Sequence, residues 1–447
     1  MISKPRYSIL WGTAVLGLTL GVPAASAAPA STASREYLAW RASIARLGAT
    51  ADSKPAAAKP TPVPAGHVVT TTEDDTNNDG TIDQRSIFTT DFDSKGRVVR
   101  NAEEYDTGAD GTVEASRVFT TEYDKSGNVA RQIEVSNIND LGSGGDGSVY
   151  ETATATFTYD KKGYVVRQIT ELDKESDGTL ELRQTTTYVN DARGNALQTV
   201  FEGDNGADGV VEVRSTVTAT YDKQGHQIDV VAESDDDANG KVDTRSHYAA
   251  SYDKNGNVLE SSSEFDAGAD GSVDGTDHQL ASYDQRGHLL TSLSETDDDG
   301  DGTLSARTTV RNTYNSQGQL LQTVVEADIA QFPSHTIDGI IDRRDTATFE
   351  YDAQGNVVRQ VSTQALTGFP ASTQMSLIQY DSRGNVVSRH DEADFNGDGD
   401  NDTSVDTVNT YNSRGQLVTA TSASDFNGDG TIDYTSFVTV VYDGVKK

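Results

Sequence analysis

Residues 211–225 read V-E-V-R-S-T-V-T-A-T-Y-D-K-Q-G, a strand pattern that runs into a glycine turn. Small or apolar side chains alternate with charged or hydroxyl side chains along this stretch: Val211, Val213, Ser215, Val217, Ala219 and Tyr221 on one side, Glu212, Arg214, Thr216, Thr218 and Thr220 on the other. A period of two residues is typical of a β-strand with one packed face and one solvated face. The stretch therefore predicts one arm of a β-hairpin.

The turn at the end of this arm recurs along the chain as Tyr-Asp-x-x-Gly or a close variant. Its glycines are Gly96, Gly127, Gly163, Gly194, Gly225, Gly256, Gly287, Gly318, Gly355, Gly384 and Gly415. From Gly163 to Gly318 the spacing is a constant 31 residues. A fixed period of this size indicates a repeat architecture. The tyrosine at the start of each turn is interpreted as a residue that packs on the sheet.

A second landmark, an acidic loop, lies between successive tyrosine turns. Its clearest copy, Asp425 to Asp433, reads D-F-N-G-D-G-T-I-D, with side-chain oxygens at positions 1, 3, 5 and 9 around a glycine at position 6. Ca²⁺ binds about six to eight oxygens at roughly 2.3–2.6 Å, and a loop with oxygens on alternate residues supplies them. Gly430 permits the sharp turn that such a loop needs. The loop therefore predicts a calcium site.

Alignment of the acidic loops on their glycines sorts them by the number of ligands. Five loops have a full set: Asp75, Asn77, Asp79 and Asp83; Asp173, Glu175, Asp177 and Glu181; Asp235, Asp237, Asn239 and Asp243; Asp394, Asn396, Asp398 and Asp402; Asp425, Asn427, Asp429 and Asp433. A sixth has Asp297, Asp299 and Asp301 with Ser305 at position 9, and three have glycine at position 3: Asp106, Asp110 and Glu114; Asp204, Asp208 and Glu212; Asp266, Asp270 and Asp274. In this alignment the loops at Gly147 and Gly339 lack the acids of positions 1 and 3, and no acidic loop lies between Gly355 and Gly384.

A simpler interpretation is that Asp, Asn and Gly merely suit hairpin turns. It explains Asp-Gly, but it does not explain acids two and four residues earlier and three residues later. The loops resemble EF-hand loops only over their first nine positions, since position 12 holds residues such as Ser436. They are more similar to the calcium hairpin loops of the FG-GAP repeats in integrin-type propellers.

The tyrosine turns carry a second resemblance. Y-D-K-N-G-N-V at Tyr252–Val258 and Y-D-A-Q-G-N-V at Tyr351–Val357 resemble the YD repeats of Rhs proteins. The resemblance covers about residues 88–447. It implies a spiral of β-hairpins of the kind found at bacterial cell surfaces or in toxin shells.

We expect an all-β fold in which residues 67–447 form about 12 antiparallel hairpins, or about 24 strands. Length varies on only one side of the acidic loop, which indicates insertions in surface loops. The hairpins are predicted to form one continuous twisted or spiral sheet. The alternative is a β-propeller with two repeats in each four-stranded blade.

The composition limits the function. The 447 residues carry a formal charge of −34, which argues against nucleic-acid binding, and 34% hydrophobic residues favour a thin repeated core over a deep one. Residues 1–27 have the pattern of a secretory signal peptide, residues 28–66 that of a short helix and a Pro/Ala-rich linker, and no later segment predicts a membrane span. Cysteine is absent, so calcium is the expected staple of an exported chain.

The sequence contains no catalytic motif of a known kind, and its histidines are scattered: His67, His226, His247, His278, His288, His335 and His390. We therefore predict a non-enzymatic calcium-binding repeat protein that acts in surface adhesion, matrix building or glycan binding. Its partner would be a surface glycan or protein ligand, and its location secreted or at the cell surface, with the periplasm as a further option. The alternative is a secreted propeller-type enzyme that acts on polysaccharide through paired carboxylates.

Overall fold

A computed structural model describes residues 66–139, 148–330 and 336–443. These residues form 24 strands that belong to one sheet. The first twelve are β1 (Gly66–Asp75), β2 (Gln84–Phe92), β3 (Val98–Asp106), β4 (Ala115–Tyr123), β5 (Val129–Asn139), β6 (Ser148–Tyr159), β7 (Val165–Asp173), β8 (Leu182–Asn190), β9 (Ala196–Asn205), β10 (Val213–Tyr221), β11 (Gln227–Asp235) and β12 (Thr244–Tyr252). The second twelve are β13 (Val258–Ala267), β14 (Gly275–Tyr283), β15 (Leu289–Asp297), β16 (Ala306–Tyr314), β17 (Leu320–Ile329), β18 (Arg343–Tyr351), β19 (Val357–Leu366), β20 (Ser372–Tyr380), β21 (Val386–Asp394), β22 (Thr403–Tyr411), β23 (Leu417–Asp425) and β24 (Tyr434–Asp443).

Every strand pairs antiparallel with the strands before and after it in the chain. The hairpin of β10 and β11 is representative, with Ala219 opposite Val230 and Val217 opposite Ala232. The register shifts by one residue at Tyr221, and the same irregularity recurs at the equivalent residue of the other tyrosine turns. The predicted all-β array of antiparallel hairpins is therefore confirmed.

The sheet closes on itself, so the predictions of an open spiral and of a propeller are both wrong. β1 pairs with β24 over nine residues, from His67 opposite Asp443 to Asp75 opposite Thr435. The product is a closed barrel of 24 antiparallel strands. A propeller would divide the strands among separate four-stranded blades, whereas here all of them share one sheet. Closure satisfies the backbone N–H and C=O groups that an open sheet leaves unpaired at its two edges.

Side chains reinforce the seam where the barrel closes. The hydroxyl of Tyr434 donates to Asp74 Oδ1 at 2.7 Å, and Asn78 Nδ2 donates to the carbonyl of Ile432 at 2.9 Å. Burial, together with the bond to Asp74, raises the pKa of Tyr434 above its usual range. These contacts join residues more than 350 positions apart in the chain.

The core is thin, as the composition predicted. In β10 the small and apolar residues share one face, where Ala219 is only 5% exposed, whereas Arg214, Thr218 and Thr220 on the other face are exposed. No large side chain in the described part of the chain is completely buried. A barrel of this many strands is too wide for its own side chains to fill, because barrel diameter grows with strand number.

The predicted signal peptide, helix and most of the linker lie outside the described residues, as does the loop at Gly147. Among the described residues, no helix has the length and apolar character needed to cross a bilayer.

Candidate metal centres at the acidic rim

Every acidic loop connects an odd strand to the next even strand, so these loops gather at one edge of the barrel, here called the acidic rim. The tyrosine turns connect each even strand to the next odd strand and form the opposite edge, the tyrosine rim. Position 1 of an acidic loop lies at or next to the end of its odd strand, as Asp235 does at the end of β11. The barrel therefore places side chains that are 31 residues apart in sequence side by side along the acidic rim.

The aspartate at position 1 organises each loop. Asp75 Oδ1 accepts the N–H of Asp79 at 3.1 Å, and Asp75 Oδ2 accepts the N–H of Gly80 at 2.8 Å. In all nine predicted loops, Oδ2 of position 1 accepts the N–H of the position-6 glycine and Oδ1 accepts another backbone N–H of the loop. Seven of these aspartates are buried: Asp75, Asp106, Asp204, Asp235, Asp266, Asp297 and Asp425.

Positions 5 and 9 are also held by the backbone. In the last loop, Asp429 Oδ1 accepts the N–H of Thr431 at 2.8 Å, and Asp433 Oδ2 accepts the N–H of Phe426 at 2.9 Å. The equivalent N–H bond from Thr112 is the main cause that lowers the pKa of Asp110, so this carboxyl group is ionised at neutral pH. Each bonded carboxylate oxygen keeps a second lone pair with which it can bind a cation.

Position 4 adopts the left-handed backbone conformation in all nine loops. The residue is Asn78, Ala109, Ser176, Ala207, Ala238, Ala269, Gly300, Gly397 or Gly428. At Gly428, with φ of 68°, an added Cβ would lie 1.9 Å from the carbonyl oxygen of Asn401 in the preceding loop. Neighbouring loops therefore pack backbone against backbone, and at this site only glycine fits.

The structure brings the predicted ligands together in four loops. Three carboxylate oxygens lie within 4.8 Å of one another in the sets Asp106, Asp110 and Glu114; Asp204, Asp208 and Glu212; Asp235, Asp237 and Asp243; and Asp297, Asp299 and Asp301. A span of about 4.8 Å is the diameter of a sphere of oxygens around Ca²⁺ at roughly 2.4 Å. The sets that begin with Asp75, Asp173, Asp266, Asp394 and Asp425 have the same loop bonds but are not among these four.

A tenth acidic loop, between β17 and β18, was misread from the sequence. Gly339 donates to Asp328 Oδ2 at 2.9 Å, as the position-6 glycine does to position 1 elsewhere. Asp338 Oδ1 accepts the N–H of Ile340, and Asp342 Oδ2 accepts the N–H of Ile329. Asp328, Asp338 and Asp342 therefore occupy positions 1, 5 and 9, with the insertion inside the loop. The signal was the motif Glu326-Ala327-Asp328, which matches Glu233-Ser234-Asp235.

A belt of Glu–Arg pairs, also missed, lies next to the acidic rim. In each pair a glutamate near the end of an odd strand bonds an arginine near the start of the next even strand. The pairs are Glu73 with Arg85, Glu171 with Arg183, Glu202 with Arg214, Glu233 with Arg245, Glu295 with Arg307 and Glu326 with Arg344. Arg214 also stands opposite Asp235, position 1 of the following loop, in the strand register. The belt thus places positive charge beside the buried aspartates.

The tyrosine rim has a different chemistry. The hydroxyl of Tyr221 donates to the carbonyl of Ala196 at 3.0 Å, one strand back. The same bond recurs from Tyr123, Tyr159, Tyr252, Tyr314, Tyr351, Tyr380, Tyr411 and Tyr442. The turn aspartate accepts backbone N–H groups. At Asp93 the N–H of Arg97, followed by its guanidinium, lowers the pKa to about 2.

Five histidines pair with carboxylates at separate places in the barrel: His226, His247, His278, His288 and His390. His226 and His288 bond the aspartates of their own turns and stack on Tyr252 and Tyr314. His390 Nδ1 lies 2.8 Å from Asp406 Oδ1, and this bond raises the pKa of His390. These pairs stabilise tyrosine turns and neighbouring strands, and none of the predicted calcium ligands takes part in them.

No protein-family model and no curated relative matches this chain. Among solved structures, one match is TcdB2-TccC3 without its hypervariable C-terminal region, at 15% identity and a TM-score of 0.17; the alignment covers 90% of this chain and only 28% of that one. Two porin-like proteins, from Bacteroides uniformis and Bacteroides vulgatus, match at 13% and 8% identity with TM-scores of 0.18 and 0.20. They cover 70% and 51% of this chain, and 97% and 94% of their own chains. TM-scores this low do not establish a common fold, so nothing about this chain follows from them.

Proposed function

We propose that this chain is an exported, non-enzymatic repeat protein whose acidic loops bind Ca²⁺ and thereby stiffen one rim of its barrel. The observation that carries the proposal is the convergence of three carboxylate oxygens within 4.8 Å in four of the acidic loops. In all four sets the buried member is the aspartate at position 1. Oxygen-only ligands on a glycine loop suit a hard cation such as Ca²⁺.

Electrostatics favours a cation at this rim. The chain has a formal charge of −34, and most loops add three or four acids to one edge of the barrel. Like charges held a few ångströms apart repel, and bound cations remove that cost. Extracellular calcium modules bind with Kd of about 10⁻⁴–10⁻³ M, so calcium near 1 mM adds on the order of 1 kcal/mol for each occupied site.

The proposed setting is outside the cell or at the cell surface, with the periplasm as a further option, where calcium is available. The chain contains no cysteine, so calcium would take the stabilising role that disulfides have in other exported proteins. The role would be adhesion, matrix building or glycan binding. Phe395 and Phe426, at position 2 of their loops, are 53% and 58% exposed on the same rim. Exposed aromatic side chains beside ordered polar loops are suited to contact a glycan or a protein ligand.

Calcium titration of the full chain by calorimetry, with thermal melts in calcium and in EDTA, tests the proposal. We expect several sites and a higher Tm in calcium. Asp235→Asn should abolish one site, because Asp235 is a buried ligand of its loop. Asp236→Asn is the matched control, since it removes the same charge from an exposed neighbour outside the ligand set. Absence of binding heat, together with melts that coincide in calcium and EDTA, would make the loops ordinary turns.

A further inference from the structure

Asp328 is a buried carboxylate, and one of its oxygens has no hydrogen-bond partner among the described residues. The residue is 3% exposed, and its Oδ2 accepts the N–H of Gly339 at 2.9 Å. Its Oδ1 is buried and accepts no hydrogen bond from the residues that the structure describes. A buried, unpaired oxygen of a charged group is costly, and in a native protein it calls for an explanation such as a bound ion.

Comparison with the nine other loops shows how the partner was lost. Elsewhere Oδ1 of position 1 accepts a backbone N–H from position 4 or 5, as Asp75 Oδ1 does from Asp79. In the Asp328 loop, positions 1 and 5 are ten residues apart instead of four (338 − 328 against 79 − 75). Gly339 still donates to Oδ2 of Asp328, but no described residue donates to Oδ1.

The positive charges nearest in the strand register are engaged elsewhere. Arg307 stands opposite Asp328 but pairs with Glu295 at 2.7 Å. Arg344 pairs with Glu326, and Arg343 pairs with Asp345 at 2.6 Å. In the described part of the chain, the ion pairs of these three arginines are therefore made with other acids and not with Asp328.

We propose that Asp328 Oδ1 is a ligand of a divalent cation, Ca²⁺, in a tenth loop site completed by Asp338 and Asp342. This inference rests on the proposed function of the other loops. Asp338 and Asp342 are oriented by the N–H groups of Ile340 and Ile329, at 2.8 and 2.9 Å. The three carboxylates are not among the sets within 4.8 Å, so the proposed site requires the side chains of Asp338 and Asp342 to turn toward Asp328. Water would fill the coordination positions that this loop leaves open.

Terbium luminescence tests this site alone, because Tb³⁺ emits strongly when a tryptophan beside it absorbs light. The tryptophans of the chain are Trp11 and Trp40, both before the barrel, so the unsubstituted chain supplies the background. Ile340 is 59% exposed at position 7, and Ile340→Trp places an indole beside the proposed ion. In the full chain we expect Tb³⁺ emission that excess Ca²⁺ reverses and that falls at least tenfold on adding Asp328→Asn. Adding Asp236→Asn instead should leave the emission unchanged.

A second reporter separates this inference from the proposed function. Val210→Trp occupies position 7 of the Asp204 loop, one of the four loops whose oxygens converge, and Val210 is as exposed as Ile340. Tb³⁺ emission from Val210→Trp but none from Ile340→Trp would overturn the tenth site and leave calcium binding by the other loops intact. Silence from both would overturn both. Emission from Ile340→Trp that survives Asp328→Asn would also overturn the inference, whereas a Val210→Trp signal retained with Asp328→Asn shows that the variant folds.

Discussion

The two rims of the barrel use aspartate in opposite ways. At the tyrosine rim a single aspartate such as Asp93 accepts backbone N–H groups and pairs with the side chain four residues later, here Arg97. In four loops of the acidic rim three carboxylates converge, and the aspartate at position 1 of each is buried. At the tyrosine rim, groups of the same turn form hydrogen bonds and an ion pair with the aspartate. At the acidic rim, several negative charges lie close together, and groups of the same loop do not neutralise them.

The difference indicates a division of labour within each repeat. The tyrosine rim joins neighbouring hairpins through Tyr–OH bonds to backbone carbonyls, and these bonds need no ion. The acidic rim joins neighbouring loops through close backbone contacts, such as Gly268 N–H to the carbonyl of Asp243 at 2.6 Å. Repulsion among the acids works against these loop contacts. We therefore expect the tyrosine rim to be insensitive to calcium and the acidic rim to depend on it.

Acid should produce the largest effect, because it removes charge at both rims. The pKa of Asp93 is lowered to about 2 by the N–H and guanidinium of Arg97, so its contribution is present above the unfolded value of 3.8 and is lost as the pH falls toward 2. Circular dichroism from pH 7 to pH 2 should show unfolding in this window. Calcium should move the midpoint to lower pH, since it competes with protons only at the acidic rim. Identical acid curves with and without calcium would contradict the proposed contrast.

The next largest effect should come from Gly428→Ala at the acidic rim. The left-handed backbone costs a residue with a Cβ about 1–3 kcal/mol, and the added Cβ would meet the Asn401 carbonyl at 1.9 Å. We expect lower stability in chemical denaturation and weaker calcium binding by this loop.

Gly430→Ala is the matched control, because Gly430 also has a positive φ but no atom within 4 Å of an added Cβ. The loss of stability in Gly430→Ala should be smaller than that in Gly428→Ala by the cost of the contact with the Asn401 carbonyl. Equal losses in the two variants would show that packing between neighbouring loops adds nothing.

Local features of the barrel could be predicted from the sequence because they repeat. The alternation around Val217 and Ala219 predicted the strand and its packed face, and the 31-residue period predicted the hairpins. Closure could not be predicted, because the edge strands β1 and β24 have the same pattern as the strands inside the array. Only the register of Asp75 opposite Thr435 shows that the edges meet.

The acidic rim was predictable where the loop length was constant. Alignment on glycines grouped Asp235 with Asp243, whose oxygens lie within 4.8 Å of each other in the structure, but it missed Asp328, because the insertion separates that residue from Gly339. Alignment on the Glu-x-Asp motif that ends the strands would have found Asp328. The unpaired oxygen of Asp328 depends on packing in three dimensions, which no spacing reveals.

Tyr221→Phe tests the tyrosine rim with a smaller expected effect. It deletes the hydroxyl that donates to the Ala196 carbonyl at 3.0 Å and keeps the ring. We expect a loss of about 0.5–1.5 kcal/mol, the usual net value of one such bond. The loss should be the same in calcium and in EDTA when measured by chemical denaturation. A loss that appears only in EDTA would mean that the two rims are coupled.

Removal of one pair from the Glu–Arg belt should give the smallest effect. Arg214 Nη2 lies 2.7 Å from Glu202 Oε1, and the two side chains are 48% and 33% exposed, so solvent screens the pair. Arg214→Gln should cost less than about 1 kcal/mol, and high salt should remove the cost. A double-mutant cycle with Glu202→Gln isolates the pair from other effects of each substitution.

The same substitution also links the belt to the acidic rim. Arg214 stands opposite Asp235, so its loss removes a positive charge that competes with a cation for that loop. Calorimetry should therefore show tighter calcium binding by the Asp235 loop in Arg214→Gln, even though the barrel itself is slightly less stable. Weaker binding would instead mean that the guanidinium positions the loop, and the belt would then belong to the calcium site as a structural support.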